Sequence, residues 1–312
     1  MENTVLFGNG VNRVNSANLS WEELLKNISG DKNSSSRLPN TINYEHIFLK
    51  RNDTILFHDA ELKLKRKIVE ELNKIEPSDL HYKIGELPAS NFLTTNYDYA
   101  FNVSLKQFSE LPYKDNSEKL YSIRRNNSYI KDNNSTFKVW NIHGELNNPK
   151  SIMLGLDHYC GSIGKIDQYV KGTYRIGKKV VKHMKEKLLG LEEWDNISWV
   201  ELFFNSNVYI LGFGLDYSEI DLWWILNKRA RMCKSKELKD RITNEIIFYG
   251  NVDEDKQLLL ESFNVEVINK KDNSWDKFYS TVIEDIKKRI NTSKLPLDYD
   301  TQYNNIETKE IV

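Results

Sequence analysis

Short runs of β-branched and aromatic residues that end in Gly or Asn recur along the chain, and stretches with apolar residues at helical spacing separate them. Thr4 to Phe7, Asn91 to Thr95, Lys138 to Ile142, Asn207 to Gly212, Glu245 to Tyr249 and Val265 to Ile268 read as strands. Strands alternating with helices imply a parallel sheet with crossover helices, an α/β fold wound on both faces. Between the first two strands, Ile47, Phe48, Ile55, Leu56, Leu62, Leu64 and Ile68 recur at helical spacing. This predicts two or more helices forming a layer over one face of the sheet. A second helical block is expected over Ile163 to Leu191, with Lys178, Lys179, Lys182, Lys185 and Lys187 on a solvated face. Gly30 to Ser36, Asp115 to Asn134 and the tail read as irregular. The expected organisation is one domain over 1–290, with helical insertions at about 43–75 and 163–191, and a flexible C-terminal tail over 291–312.

Composition narrows the function classes. Lys and Arg total 44 against 45 for Asp and Glu, so no net basic field favours nucleic acid, and none is expected as a direct partner. Cys160 and Cys233 stand far apart without CxxC spacing, which suits a reducing compartment. No apolar run approaches the roughly 20 residues of a membrane span. The chain enters its first strand at Val5-Leu6-Phe7 with no signal-like segment ahead of it. A cytoplasmic protein without membrane contact is the expectation.

Four polar strand ends carry candidate chemistry. Phe7-Gly8-Asn9-Gly10-Val11-Asn12 is a Gly-x-Gly turn leaving the first strand, where backbone N–H groups can approach a pyrophosphate. A Rossmann fingerprint would want a third glycine near Arg13 and an acidic residue about 20 positions on, and both are missing, which disfavours a plain nicotinamide dehydrogenase. Ser20-Trp21-Glu22-Glu23 reads instead as a capped helix start. The second strand ends in Thr94-Thr95-Asn96-Tyr97-Asp98, whose Asn96 and Asp98 either face a ligand or cap the next helix. The third ends in His143-Gly144, an imidazole able to take a proton near neutral pH beside a residue that clears space. His158 reads as a loop or helix start. The fourth runs into Gly212-Phe213-Gly214-Leu215-Asp216, then a helix whose first turn holds Ser218, Glu219 and Asp221. Those carboxylates either complement the helix dipole or belong to a second nucleotide-facing loop.

In this order the four motifs resemble the sirtuin-like superfamily, and within it the divergent bacterial branch that hydrolyses NAD⁺ in antiphage defence. Gly8-Asn9-Gly10 is similar to the family's Gly-Ala-Gly loop, and Thr94-Thr95-Asn96-Tyr97-Asp98 to its Thr-Gln-Asn-Ile-Asp segment. His143-Gly144 looks like the pair carrying the catalytic base, and Gly212-Phe213-Gly214 sits where a Gly-Thr-Ser loop would fall. The resemblance spans about 4–270. It departs at Thr95, where the family has Gln, and no Gly-Ile-Pro-Asp-Phe-Arg-Ser run follows the first loop. Two cysteines cannot supply the Cys₄ zinc site of the deacylases, so no metal is expected and deacylation is disfavoured.

The resemblance implies a Rossmann-like doubly wound domain that takes NAD⁺ as substrate. Asn96 and His143 are then the expected catalytic residues. Gly8, Asn9, Gly10, Asn12, Thr95, Asp98, Gly212, Gly214 and Asp216 are the expected NAD⁺-binding residues, with Asp98 orienting the carboxamide and Gly214 and Asp216 facing the other ribose. An enzyme that destroys a central cofactor needs control, so activation by a sensor subunit of nucleotide-binding, Argonaute-like or ATPase type, or by homo-oligomerisation, is expected. The helix Leu222-Trp223-Trp224-Ile225-Leu226-Asn227-Lys228-Arg229 is either a contact surface or ordinary core. Other readings are a non-catalytic module sensing NAD⁺ or ADP-ribose, and an ADP-ribosyl transferase.

Overall fold

In β1 (Glu2–Phe7) the buried side chains alternate between two cores, Val5 and Phe7 facing one and Leu6 the other. A strand buried on both faces reads as a continuous apolar run, which is why Thr4 to Phe7 shows no polar alternation. The computed structural model describes residues 1–15, 18–30, 38–50, 57–112, 118–131, 133–269 and 274–292. The remaining strands are β2 (Asn91–Thr94), β3 (Ser109–Glu110), β4 (Asn126–Ile130), β5 (Thr136–Asn141), the separate hairpin β6 (Arg175–Ile176) and β7 (Lys179–Val180), β8 (Ser206–Leu211), β9 (Ile246–Gly250) and β10 (Glu266–Asn269). All six strands expected from the apolar pattern are present.

The main sheet runs β10-β9-β8-β1-β2-β5-β4-β3. From β10 to β5 every pairing is parallel, whereas β5-β4 and β4-β3 are antiparallel. Numbered in order of appearance, the six parallel strands follow the doubly wound dinucleotide-binding order, which reverses between β1 and β8. The sheet is therefore mixed at one edge rather than wholly parallel.

The helices are α1 (Trp21–Ser29), α2 (Asn40–Lys50), α3 (Phe57–Leu72), α4 (Asp79–Gly85), α5 (Ala100–Ser104), α6 (Leu156–Val170), α7 (Met184–Leu188), α8 (Leu202–Asn205), α9 (Ile220–Cys233), α10 (Glu254–Ser262) and α11 (Trp275–Thr292). One face of the sheet is covered by α6, α9 and α10, the other by α4, α5 and α11. In α11 the buried Phe278, Val282, Ile286 and Ile290 recur every fourth residue, the stripe a helix needs to lie on a sheet. Ser20 caps α1 as expected: its hydroxyl accepts from Glu23 N–H at 3.2 Å, while the Glu23 carboxylate takes the Ser20 N–H at 2.7 Å. α1 to α3 build a third cluster with Leu24, Leu25, Tyr44, Ile47, Leu64 and Ile68, which closes on Tyr97, Leu146, Ile152 and Leu154 just past β2 and β5.

Three expectations need correction. Within the segment read as irregular, β4 forms a ladder with β5, and 113–117 and 132 lie outside the described residues. The second helical block is broken by the β6–β7 hairpin. Lys187 is not on a solvated face: it is buried between Asp195, 2.8 Å away, and Glu201, at 2.6 Å, whereas Lys178, Lys179 and Lys182 are exposed. Residues 31–37, 51–56 and 293–312 lie outside the described residues, and with them most of the expected 30–36 loop, Ile55, Leu56 and nearly all of the expected tail. No helix among the described residues is long and apolar enough to cross a membrane.

Candidate active site

Four strands end in register. Leu211 pairs with Phe7, Phe7 with Thr94 and Thr94 with Asn141, so the segments that follow leave the sheet along one line. That line carries the Gly8 to Gly10 loop, Thr95-Asn96, Ile142-His143 and the Gly212 to Gly214 loop. It crosses the point where strand order reverses, where open α/β sheets bind ligands.

The two glycine loops touch there. Gly10 N–H donates to the Gly212 carbonyl at 2.8 Å, and a Cβ on Gly10 would stand 2.6 Å from that oxygen. Gly212 has φ +58°, and a Cβ on it would stand 2.7 Å from the Val11 side chain. Both positions therefore require glycine. Over them opens a crevice of about 680 Å³, bounded by Asn9, Gly10, Gly212, Gly214, Asp216 and Glu219, and on its far side by Asn251, Lys256 and Trp275. Such a volume lies within the range of cofactor pockets. Gly8 lies behind, packed beneath Phe213.

Beside this crevice lies a second, much smaller cavity of about 10 Å³, bounded by Asn9, Ser20, Trp21, Asn96, Tyr97 and Asp98. Asn9, Ser20 and Trp21 border both spaces. The Trp21 ring meets Tyr97 edge-on, with centroids 5.2 Å apart. Thr95 is buried, its N–H donating to the Phe7 carbonyl at 3.3 Å. Asn96 is 5% exposed, and its Oδ1 has no hydrogen-bond partner among the described residues. An orphaned buried acceptor in a cavity beside a ligand crevice is a group awaiting a partner.

Asp98 borders the small cavity, but both of its oxygens accept hydrogen bonds from within the protein. One oxygen accepts from Ala100 N–H at 2.9 Å, at the start of α5, and the other from Asn12 Nδ2 at 2.8 Å. Burial pushes its carboxyl above the usual range, against the pull of those donors. Asn12, expected on the cofactor face, lies behind its loop: it is buried, with its amide committed to Asp98, Asn9 and His81. Asp216 also spends one oxygen locally, on Ser218 N–H and Oγ, although it borders the crevice.

His143 is fully enclosed, and among the described residues its side-chain partners are two carboxylates and a ring. Nδ1 lies 3.4 Å from Glu219 Oε2 and Nε2 3.2 Å from Asp221 Oδ2, with Tyr159 edge-on at 5.5 Å. Tyr159 donates to Glu219 at 2.8 Å and Ser162 to Asp221 at 3.0 Å. Burial lowers the imidazole pKa, but Asp221 and Glu219 together outweigh it and the net direction is up. Burial raises Glu219 as well, offset partly by His143. The three groups thus pack as a unit in which His143 and Glu219 titrate together, and Glu219 is the member that borders the crevice. Gly144 makes the turn behind them: it has φ +111°, and a Cβ there would stand 2.3 Å from the Ser151 carbonyl.

From the sequence Glu219 and Asp221 read as helix-dipole partners or as part of a second nucleotide-facing loop, not as partners of His143. Residues two apart do not share a helix face. They reach one imidazole because Glu219, at ψ 55°, stands outside the helical conformation of α9 while Asp221 lies in its first turn. The same three side chains are the described residues whose geometry could also hold a metal ion.

A family model described as the SIR2-like domain matches residues 90–268, more than half of the chain, from β2 to β10. The match includes Asn96, Asp98, His143 and the Gly212 to Gly214 loop, and begins after the Gly8 to Asn12 turn. Among curated proteins, none matches the chain.

Proposed function

The chain belongs to the SIR2-like domain family, whose members act on NAD⁺, and we propose that it is an NAD⁺ glycohydrolase releasing nicotinamide and ADP-ribose. The observation that carries this reading is the alignment of four strand ends, which sets both glycine loops and Glu219 of the His143 unit on one crevice and Asn96 in the small cavity beside it. Nicotinamide leaves as a neutral group from a ribose whose ring nitrogen is already cationic, so no general acid is needed. The site must hold the pyrophosphate, stabilise an oxocarbenium-like ribose and activate water.

In this reading the paired glycine loops bind the pyrophosphate, and Asn96 Oδ1 takes a ribose hydroxyl or the attacking water. An imidazole with carboxylates at both nitrogens is not a free base, so the proton passes through Glu219, the crevice-facing member of the unit. With one proton on the imidazole and two carboxylates, that unit is net negative, which also favours a cationic ribose. Two cysteines cannot form a four-thiolate zinc site, so we read the chain as a hydrolase without the zinc module of the deacylases. We further propose that it is the toxic effector of an antiphage system, held off until a sensor subunit or self-assembly opens the cavity beside Asn96.

The test is NAD⁺ consumption by the purified chain at micromolar concentration, alone and crowded to high concentration, with products separated by chromatography beside His143→Ala and Asn96→Ala. Nicotinamide and ADP-ribose that vanish in both variants support the hydrolase. Label appearing on protein would make it a transferase, and tight NAD⁺ binding without turnover in any state would make it a sensing module.

A further inference from the structure

We propose that His81 is a positioning residue for this site: its imidazole fixes the orientation of the Asn12 amide, which in turn holds the Asp98 carboxylate at the cavity beside Asn96. The inference rests on the NAD⁺-cleaving reading for its consequence in turnover, but its geometry stands apart from that reading.

His81 lies in the first turn of α4, wholly buried and remote in sequence from every strand-end motif. Its Nδ1 faces the Ser78 backbone N–H at 3.0 Å. A backbone N–H can only donate, so Nδ1 carries the lone pair and Nε2 carries the hydrogen. Burial holds the imidazole at about 4, so the ring is neutral throughout the physiological range and this tautomer persists. The Nε2–H then donates to Asn12 Oδ1 at 3.0 Å.

That one bond decides which way the Asn12 amide points. With Oδ1 committed to His81, Nδ2 faces Asp98 Oδ2 at 2.8 Å and Asn9 Oδ1 at 3.2 Å. The opposite flip would set a carbonyl oxygen against a carboxylate and an amide N–H against an imidazole N–H, two repulsions in a buried place. The chain Ser78, His81, Asn12, Asp98, Ala100 therefore links α4 to the first glycine loop and to the segment after β2. Two residues that it touches, Asn9 and Asp98, border the small cavity. A residue that merely filled space would not need a defined tautomer.

The experiment compares His81→Leu with His81→Gln, whose terminal amide can keep a donor toward Asn12. It reads kcat, the NAD⁺ dissociation constant by calorimetry, and the Asp98 titration midpoint from its carboxyl ¹³C signal. Loss of a hydrogen bond serving a charged group predicts a kcat lower by about tenfold to a hundredfold in His81→Leu. The NAD⁺ dissociation constant should stay within about threefold, because among the crevice residues the Asn12 amide bonds only Asn9. The Asp98 midpoint should rise in His81→Leu, since a freed Asn12 no longer donates steadily, and should fall back in His81→Gln together with recovered turnover. An Asp98 midpoint unmoved in His81→Leu, or a Gln variant as impaired as the Leu variant, overturns the proposal. If the wild-type chain cleaves no NAD⁺ under any condition, the hydrolase reading fails on its own, and the Asp98 midpoint still decides the positioning role.

Discussion

The imidazole of His143 must lose a proton before it can accept one, and the two carboxylates beside it make that loss harder. Burial works in the opposite direction, but the net displacement of its pKa is upward from 6.5. The acid limb of the rate profile should therefore have its midpoint above 6.5, with activity rising as pH increases through it. Glu219→Gln removes one negative neighbour, so the midpoint should move to lower pH. A pH series of kcat/KM for both proteins checks this, and an unmoved limb would remove Glu219 from the proton path. Asn96→Ala tests the site more cleanly than His143→Ala. Its Oδ1 has no partner among the described residues, so truncation should abolish turnover while the melting temperature changes little. His143→Ala strands two carboxylates that face each other across the vacated ring, which should lower stability as well as activity.

Where loops and helices meet, the tolerances are steric and acid-base in turn. Gly10→Ala places a methyl group 2.6 Å from the Gly212 carbonyl, so the two loops must part. Overpacking of this kind costs about 1–3 kcal/mol, and denaturant unfolding should show it together with weakened NAD⁺ binding. Normal values in both measurements would mean the loops have slack. α3 is tied to α6 through Glu61, which takes the His158 Nε2–H at 2.6 Å and lies 3.6 Å from Lys65, with Tyr44 donating at 3.2 Å. Burial raises the Glu61 carboxyl, but these partners hold it at about 2, below its ordinary 4.5. Its contribution is then complete above pH 4.5 and lost as pH falls through about 2, so Glu61→Gln should flatten the acid loss of stability in that window. Equal acid slopes in both proteins would contradict the tie. The elements that apolar periodicity revealed are those with two buried faces, such as β1 and β8. β4 escaped because only Tyr129 in it is buried while Asn126, Asn127 and Ser128 are polar, and what makes it a strand is pairing with β5 on one side and the two-residue β3 on the other. Lys187 misled for the converse reason: acids at 195 and 201, beyond any helical spacing, draw it inside.

How the helical layer sits on the sheet could not be read from sequence, because it depends on contacts between α1 to α3 and residues past β2 and β5 that no local pattern encodes. That placement sets up the molecule as two spaces of very different size that share Asn9, Ser20 and Trp21 as a wall. The crevice of about 680 Å³ can take the ADP-ribose part of NAD⁺, while the cavity of about 10 Å³ beside Asn96 has room for little more than one water. A nicotinamide ring needs this cavity to widen, and the Trp21 ring against Tyr97 is part of the wall between the two spaces. In the resting chain nicotinamide therefore adds no contact, and NAD⁺ and ADP-ribose should bind with dissociation constants within about threefold of each other. Trp21→Ala removes the ring that closes the cavity. It should make NAD⁺ the tighter ligand and bring turnover to dilute protein without any partner. Calorimetry with both ligands on both proteins, beside a nicotinamide-release assay, is sufficient. If the wild-type chain already prefers NAD⁺ by about tenfold or more, the ring is reaching Asn96 without help, and control of the enzyme lies somewhere other than this wall.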